Sequence, residues 1–200
     1  MKQVGKSENY KIYLNESYAL TLTLETIYKN NLKVDKEIST EQLEQIQFDN
    51  EKITAFEKAV NLLSKASKTK KDMEKYLKTK GYSSKIITYV TEKLEGYRYL
   101  DDKQFSESYI DGAKKFKGKR LIEQILLQKG VNKDIIKESL KELNQEQEVL
   151  LLAEKYMKNK DKTSENKQKL YRHLLSKGFS YDEVGQAISK IYKGGFYDWD

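Results

Sequence analysis

The chain has 200 residues, of which 38% are hydrophobic and 34% are charged, and it contains neither cysteine nor proline. The lack of cysteine excludes disulfide frameworks, thiolate metal sites and cysteine nucleophiles, and it is typical of a reducing compartment. The net charge of +7 and the pI of about 9.1 favour a polyanionic partner. Lysine far outnumbers arginine, however, and an AT-rich genome alone would produce that bias.

No stretch of the sequence approaches the roughly 20 consecutive apolar residues that a membrane span requires. The N-terminus also lacks the apolar core of a signal peptide. We therefore expect a cytoplasmic protein that does not associate with a membrane.

The N-terminal segment, residues 1–50, alternates between apolar and polar side chains over residues 10–23. Two short runs flank an Asn-Glu-Ser turn, which predicts a small β-hairpin. One side of this hairpin is apolar and carries Ile12, Leu14, Leu20, Leu22 and Leu24. A short helix is expected next, followed by another at residues 39–46 behind a Ser/Thr cap.

The rest of the chain repeats itself around three Lys-Gly pairs, spaced 49 and 48 residues apart: Lys80-Gly81, Lys129-Gly130 and Lys177-Gly178. Apolar residues recur at fixed distances from each glycine: Met73, Ile122 and Leu170; Leu77, Leu126 and Leu174; Ile87, Ile136 and Val184; Phe56, Phe105 and Ala153. Such a period indicates a repeat architecture whose neighbouring units stack. We expect a mainly α fold: three tandem three-helix repeats in an elongated curved array, preceded by the hairpin and short helices.

The expected repeats cover residues 51–98, 99–144 and 145–193, with a tail at 194–200. Helix periodicity and capping residues predict helices at residues 55–66, 70–81, 83–94, 102–115, 119–129, 132–143, 147–159, 165–177 and 181–192. Each glycine is expected to end the second helix of its repeat in the left-handed conformation, with the lysine placed favourably at the helix C-terminus.

Lysines collect between the first and second helices of every repeat. Stacked repeats are expected to align these turns into a basic stripe, where the N-termini of the second helices add backbone donors for phosphate. The alternative is that lysines simply favour loops. The candidate DNA- or filament-binding residues are Lys68, Lys70, Lys71, Lys114, Lys115, Lys117, Lys119, Arg120, Lys167 and Lys169.

Catalytic motifs are not recognisable. His173, the single histidine, lies within a predicted helix at a position that the other repeats fill with Tyr76 and Ile125, so it is interpreted as a packing or surface residue. In the Asp101-Asp102 pair, Asp102 is interpreted as a helix cap. Residues 112–120, "GAKKFKGKR", fail as a phosphate-binding loop because the glycine spacing is wrong and no Ser/Thr follows the lysine. We expect no catalytic residues, metal or cofactor.

Two segments carry a family resemblance. "YRYLDDKQFSESYI", followed by "KGKRLIEQILLQKGV", resembles the RecX family of bacterial recombination regulators, which has a Tyr-Leu-Asp-Asp stretch, a basic Lys/Gly turn and a helix ending in Gln-Lys-Gly. Residues 58–82 are similar to the family's first repeat. The resemblance covers roughly residues 10–192. Lys119 replaces a proline common in the basic turn, and lysines replace several arginines, so bidentate phosphate contacts are fewer here.

The resemblance implies a non-enzymatic regulator of RecA-mediated recombination, DNA repair and the SOS response. Such a protein binds in the groove of the RecA–DNA filament, binds single- and double-stranded DNA, and modulates, chiefly by inhibition, filament extension and activity. A monomer is expected. One alternative is a plain DNA-binding protein of helix-turn-helix type that acts without RecA, although its third helices carry few base-reading side chains. Another is an adaptor that binds only protein.

Overall fold

The computed structural model describes residues 2–3 and 9–193, and these residues contain three β-strands and ten α-helices. The chain divides between Leu100 and Asp101 into two compact units. The N-terminal unit holds the strands and the first repeat, and the C-terminal unit holds the second and third repeats. Residues 194–200, where the tail was expected, lie outside the described residues.

The predicted hairpin is confirmed. Strands β2 (Asn9–Leu14) and β3 (Ser17–Thr23) pair antiparallel around the two-residue loop Asn15-Glu16. Both loop residues have positive φ, 46° and 67°, as the tight turns of hairpins require. A short strand not expected from the sequence, β1 (Lys2–Gln3), pairs with β2 to give the order β1-β2-β3.

Helix α1 (Leu24–Lys29) follows the hairpin directly, and α2 (Thr40–Leu63) comes next. The sequence predicts two separate helices here, at residues 39–46 and 55–66. The structure instead has one helix, α2, which runs unbroken for 24 residues. A capping box formed by Ser39 and Gln42 starts α2, and no glycine or proline interrupts it. Asn50, in the middle of the helix, turns its side chain toward the hairpin.

Asn50 joins α2 to the hairpin through a buried network. Its Oδ1 accepts hydrogen bonds from the Thr23 N–H (2.8 Å) and the Thr26 hydroxyl (3.0 Å). Its Nδ2 donates to the Thr21 carbonyl (3.2 Å). Buried polar groups are costly unless they are paired, so this amide fixes how the hairpin sits on the helix.

The three-helix repeats are confirmed. The remaining helices are α3 (Lys70–Thr79), α4 (Ser84–Gly96), α5 (Asp102–Ala113), α6 (Lys119–Gln128), α7 (Lys133–Ser139), α8 (Glu146–Met157), α9 (Ser164–Ser176) and α10 (Tyr181–Lys193). Each repeat has its own core, centred on fully buried side chains of its second helix: Met73 and Leu77, Ile122 and Leu126, and Leu170 and Leu174. Two details differ from expectation. Helix α7 ends at Ser139, before residue 143, and in the first repeat Ile86 is fully buried while Ile87 is only half-buried.

The Lys-Gly corners are also confirmed. Gly81, Gly130 and Gly178 have φ values of 85°, 82° and 88°, and the lysine before each is the C-cap of its helix. In the first two corners, the N–H after the glycine donates to a carbonyl five residues earlier, at 3.3 Å and 3.1 Å. This pattern is the Schellman motif, and it turns the chain from the second to the third helix.

Candidate nucleic-acid interface

The basic turn of the second repeat, residues 114–120, comprises the loop after α5 and the first two residues of α6, and it carries five of the ten candidate cations. Lys115, Lys119 and Arg120 are exposed, whereas Lys114 and Lys117 are half-buried. Phe116, in the middle of the turn, is also exposed. The turn therefore presents positive charge and one aromatic ring together.

Gln145 fixes the backbone of this basic turn through hydrogen bonds. The side chain of Gln145 is fully buried, and its Nε2 donates to the carbonyls of Lys114 and Lys117, each at 2.8 Å. Gln145 is the N-cap residue of α8. Lys117 is oriented further by Tyr109, whose hydroxyl accepts from its Nζ at 3.0 Å.

The start of α6 is capped by the third repeat. Gly118 offers no side-chain cap, and its N–H donates to the carbonyl of Lys177 at 2.8 Å. The Arg120 N–H donates to the carbonyl of Gly178 at 3.1 Å. The expected role of this helix N-terminus in phosphate binding is therefore wrong in part, because two of its donors are already engaged. Side chains are left as the main phosphate donors of the turn.

The expected alignment of equivalent turns does not occur between the second and third repeats. The basic turn of the second repeat packs on the Lys177-Gly178 corner, at the C-terminal end of α9. The basic turn of the third repeat lies at the N-terminal end of the same helix. Thirteen helical residues separate the two ends, about 20 Å.

The candidate lysines of the first and third repeats are more often paired with acids. Lys70 forms an ion pair with Glu95 at 3.0 Å, and Lys169 pairs with Glu165, where the hydrogen bond and charge of the lysine lower the pKa of that carboxyl. Lys71 is exposed and Lys68 half-buried, and the Lys167 ammonium lies 5.6 Å from the centre of the Tyr192 ring.

In the second repeat, Lys114 is the candidate that pairs with a carboxylate among the described residues. Its hydrogen bond to Asp111 (2.8 Å), together with the charge of that group, raises the pKa of Lys114. Arg120 instead lies over the ring of Tyr181 at 5.9 Å. Ion pairs at the surface contribute little and exchange readily, so the Lys114–Asp111 pair does not stop the exposed cations Lys115, Lys119 and Arg120 from facing an anionic ligand. The second repeat therefore has more exposed candidate cations than either of the other two repeats.

A surface of lysines and aromatic rings that was not expected from the sequence lies along α2 and α4, half-buried except at Tyr89 and Tyr97, which are exposed. Both helices carry a lysine flanked by aromatic residues four positions before and after it: Phe48, Lys52 and Phe56 on α2, and Tyr89 and Lys93 on α4 with Tyr97 as its C-cap. This spacing puts the three side chains on one face of each helix, and it could have been recognised from the sequence.

The residues considered for chemistry have structural roles. Asp101, and not Asp102 as expected, caps α5 by accepting from the N–H groups of Lys103 and Gln104, both at 2.9 Å. His173 is half-buried and stacks on Tyr156 with 4.7 Å between ring centres. Burial, and then the charges of Lys177 and Lys160, lower the pKa of His173.

Within residues 2–3 and 9–193, no group of three or more His, Cys, Asp or Glu side chains is placed to hold a metal ion. The same two ranges contain no helix with the length and apolarity needed to cross a membrane.

Comparison with known proteins matches all three repeats. Models of the first, second and third three-helix domains of RecX match residues 55–94, 101–140 and 145–188. The regulatory protein RecX of Clostridium botulinum strain Alaska E43 is 34% identical over 203 residues, covering 98% of this chain and 96% of the relative. This chain belongs to the RecX family.

Further RecX proteins are similar to this chain over most of its length. The regulatory protein RecX of Bacillus subtilis strain 168 is 32% identical over 196 residues, which cover 94% of this chain and 74% of that protein. A crystal structure of a regulatory protein RecX superposes with a TM-score of 0.72 at 25% identity and covers 96% of both chains. The crystal structure of RecX from Lactobacillus salivarius superposes with a TM-score of 0.66 at 27% identity, and it covers 72% of this chain and 97% of that chain. The helical repeats are thus the RecX fold.

Proposed function

We propose that this RecX-family chain is a non-enzymatic regulator of RecA-mediated recombination and DNA repair. It binds the RecA–DNA filament in its groove, binds DNA, and inhibits filament extension and activity. The observation that supports this proposal most is the match of all three repeats to RecX, whose relatives are regulatory proteins.

The basic turn of the second repeat supports the choice of a polyanionic partner. Its cations are held on a turn whose backbone is fixed by Gln145 and by the Lys177-Gly178 corner. A fixed turn loses less conformational entropy when it binds phosphate than a mobile loop would. Lys115, Lys119 and Arg120 are the exposed charges available for this contact.

The proposal is tested by the DNA-dependent ATPase and strand-exchange activities of a RecA recombinase. We expect suppression of both when the chain is present well below the concentration of RecA, because blocking extension at a filament end affects many protomers. Unchanged activity at stoichiometric amounts would refute the regulator. Tight, sequence-specific duplex binding without any effect on RecA would favour the helix-turn-helix alternative.

A further inference from the structure

The surface along α2 and α4 interleaves half-buried lysines with aromatic rings. The Lys52 ammonium lies 4.3 Å from the ring centre of Phe48 on its own helix and 5.0 Å from that of Tyr89 on α4. The Lys93 ammonium lies 4.6 Å from the ring centre of Phe56 on α2. It is also 5.8 Å and 6.0 Å from the ring centres of Tyr89 and Tyr97.

The tyrosines at the end of this surface are open to solvent. Tyr97 and Tyr99 are 55% and 56% exposed, and their ring centres are 5.7 Å apart. Tyr97 also contacts Phe56 edge-on at 6.0 Å. These two exposed rings are not needed to join α2 to α4, because buried residues between the helices already join them.

Arg98, between these two tyrosines, has a backbone conformation that favours glycine. Its φ is 57°, and the Tyr99 N–H donates to the Leu94 carbonyl at 2.8 Å, as at a helix corner. The chain uses glycine in the same conformation at Gly81, Gly130 and Gly178. A non-glycine residue is strained there. Arginine at this corner accepts that strain, and it is an exposed cation whose two neighbours in the sequence are the exposed Tyr97 and Tyr99.

We infer that Tyr89, Tyr97 and Tyr99, together with Lys93 and Arg98, form a binding surface for single-stranded nucleic acid. Unpaired bases stack on the exposed sides of the tyrosine rings, and the two cations meet the backbone phosphates. The described contacts of the Lys93 ammonium are with aromatic rings and include no carboxylate, so its donors can reach a phosphate.

The spacing of the rings defines the mode of binding. A base held between two rings needs about twice the stacking distance of roughly 3.4 Å. The 5.7 Å between Tyr97 and Tyr99 is smaller, so bases stack on the outside of the pair and do not intercalate. Duplex DNA keeps its base faces covered, so this surface prefers single strands.

The test measures binding of a fluorescently labelled thymidine oligonucleotide to the full chain and to Tyr97→Ala and Tyr99→Ala variants. We expect affinity to fall roughly 5- to 100-fold for each variant, with little change in salt dependence, because stacking releases few counterions. Tyr97→Phe should retain affinity. The matched control is Tyr28→Ala, since Tyr28 is 75% exposed on α1 in the same unit, and it should bind normally.

Three further probes separate the possible outcomes. An abasic oligonucleotide of equal length should bind the unmodified chain more weakly than the thymidine strand, and a uridine ribo-oligonucleotide shows whether DNA or RNA is preferred. Arg98→Gly should raise the melting temperature, because it relieves the backbone, and yet weaken binding. A purely structural role for Arg98 predicts no loss of binding.

The inference would be overturned if the tyrosine variants bound the thymidine oligonucleotide as tightly as the unmodified chain does. It would also be overturned if the unmodified chain bound the abasic and thymidine strands equally well. Intact oligonucleotide binding with impaired RecA association would make the surface a protein-docking site and would also overturn it. The inference rests on the proposed function only in that both take nucleic acid as a partner. If the chain binds the oligonucleotide through these tyrosines but does not inhibit RecA, the proposed function is refuted and the inference is not.

Discussion

The Gly118 N–H donates to the Lys177 carbonyl at 2.8 Å, which joins the basic turn of the second repeat to the Lys-Gly corner of the third. A Cβ on Gly118 would lie 2.2 Å from the carbonyl carbon of Gly178, and one on Gly178 would lie 2.4 Å from the Cβ of Leu121. The two glycines therefore let two backbones touch. By contrast, a Cβ on Gly81 meets nothing within 4 Å.

Gly118→Ala is expected to lower the free energy of unfolding by about 1–3 kcal/mol or more, because the new methyl group forces two backbones apart. Urea unfolding followed by circular dichroism measures the effect. Gly112→Ala is the matched control: its Cβ meets nothing within 4 Å in α5, so the variant should be about 0.5–1 kcal/mol more stable. A Gly118→Ala protein as stable as the unmodified chain would contradict the contact.

Replacing Lys117, Lys119 and Arg120 with alanine should weaken DNA and filament binding while helicity is retained. The slope of log affinity against log salt should fall by about 0.7 for each phosphate that is no longer neutralised on a single strand, and by about 0.9 on duplex. Lys133, Lys137 and Lys155, which are exposed outside the turn, give a control triple of equal charge. Equal reductions in affinity for both triples would mean that net charge, and not the turn, governs binding.

Asn50→Leu should lower the free energy of unfolding by about 2–4 kcal/mol, because the Thr23 N–H and the Thr26 hydroxyl lose their shared acceptor in a buried site. Hydrogen exchange at the Thr23 amide should also become faster in this variant. Asn61→Leu, at an exposed position of the same helix, should change stability by less than about 0.5 kcal/mol. Unchanged exchange at Thr23 would show that the hairpin does not depend on this amide.

Stability should decrease as the pH falls below the usual histidine pKa of 6.5. Burial lowers the pKa of His173 in the folded state, so the unfolded chain takes up a proton first, and stability is lost as the pH falls toward the folded pKa. Urea midpoints at about pH 7.5 and about pH 5.5 measure this change. His173→Phe, which keeps a ring against Tyr156, should show a smaller decrease. An identical decrease in both proteins would assign the effect to other groups.

The sequence by itself determined the repeat architecture. The three Lys-Gly corners, the helix caps at Thr69 and Ser83 and the hairpin turn are local features, and each follows from the conformational preference of a few adjacent residues. The three cores could be predicted for the same reason, since helical periodicity fixes which side chains share a face.

Only the tertiary structure decided how these parts meet. Gly81 and Gly178 stand in the same sequence motif, yet Gly178 contacts Leu121 and a Cβ on Gly81 faces open space. Nothing in the local sequence indicated that Asn50 would bond to the hairpin, or that Lys93 of α4 would lie on Phe56 of α2. Such interactions join residues far apart in the chain, and their formation depends on how helices pack, which local preferences do not specify.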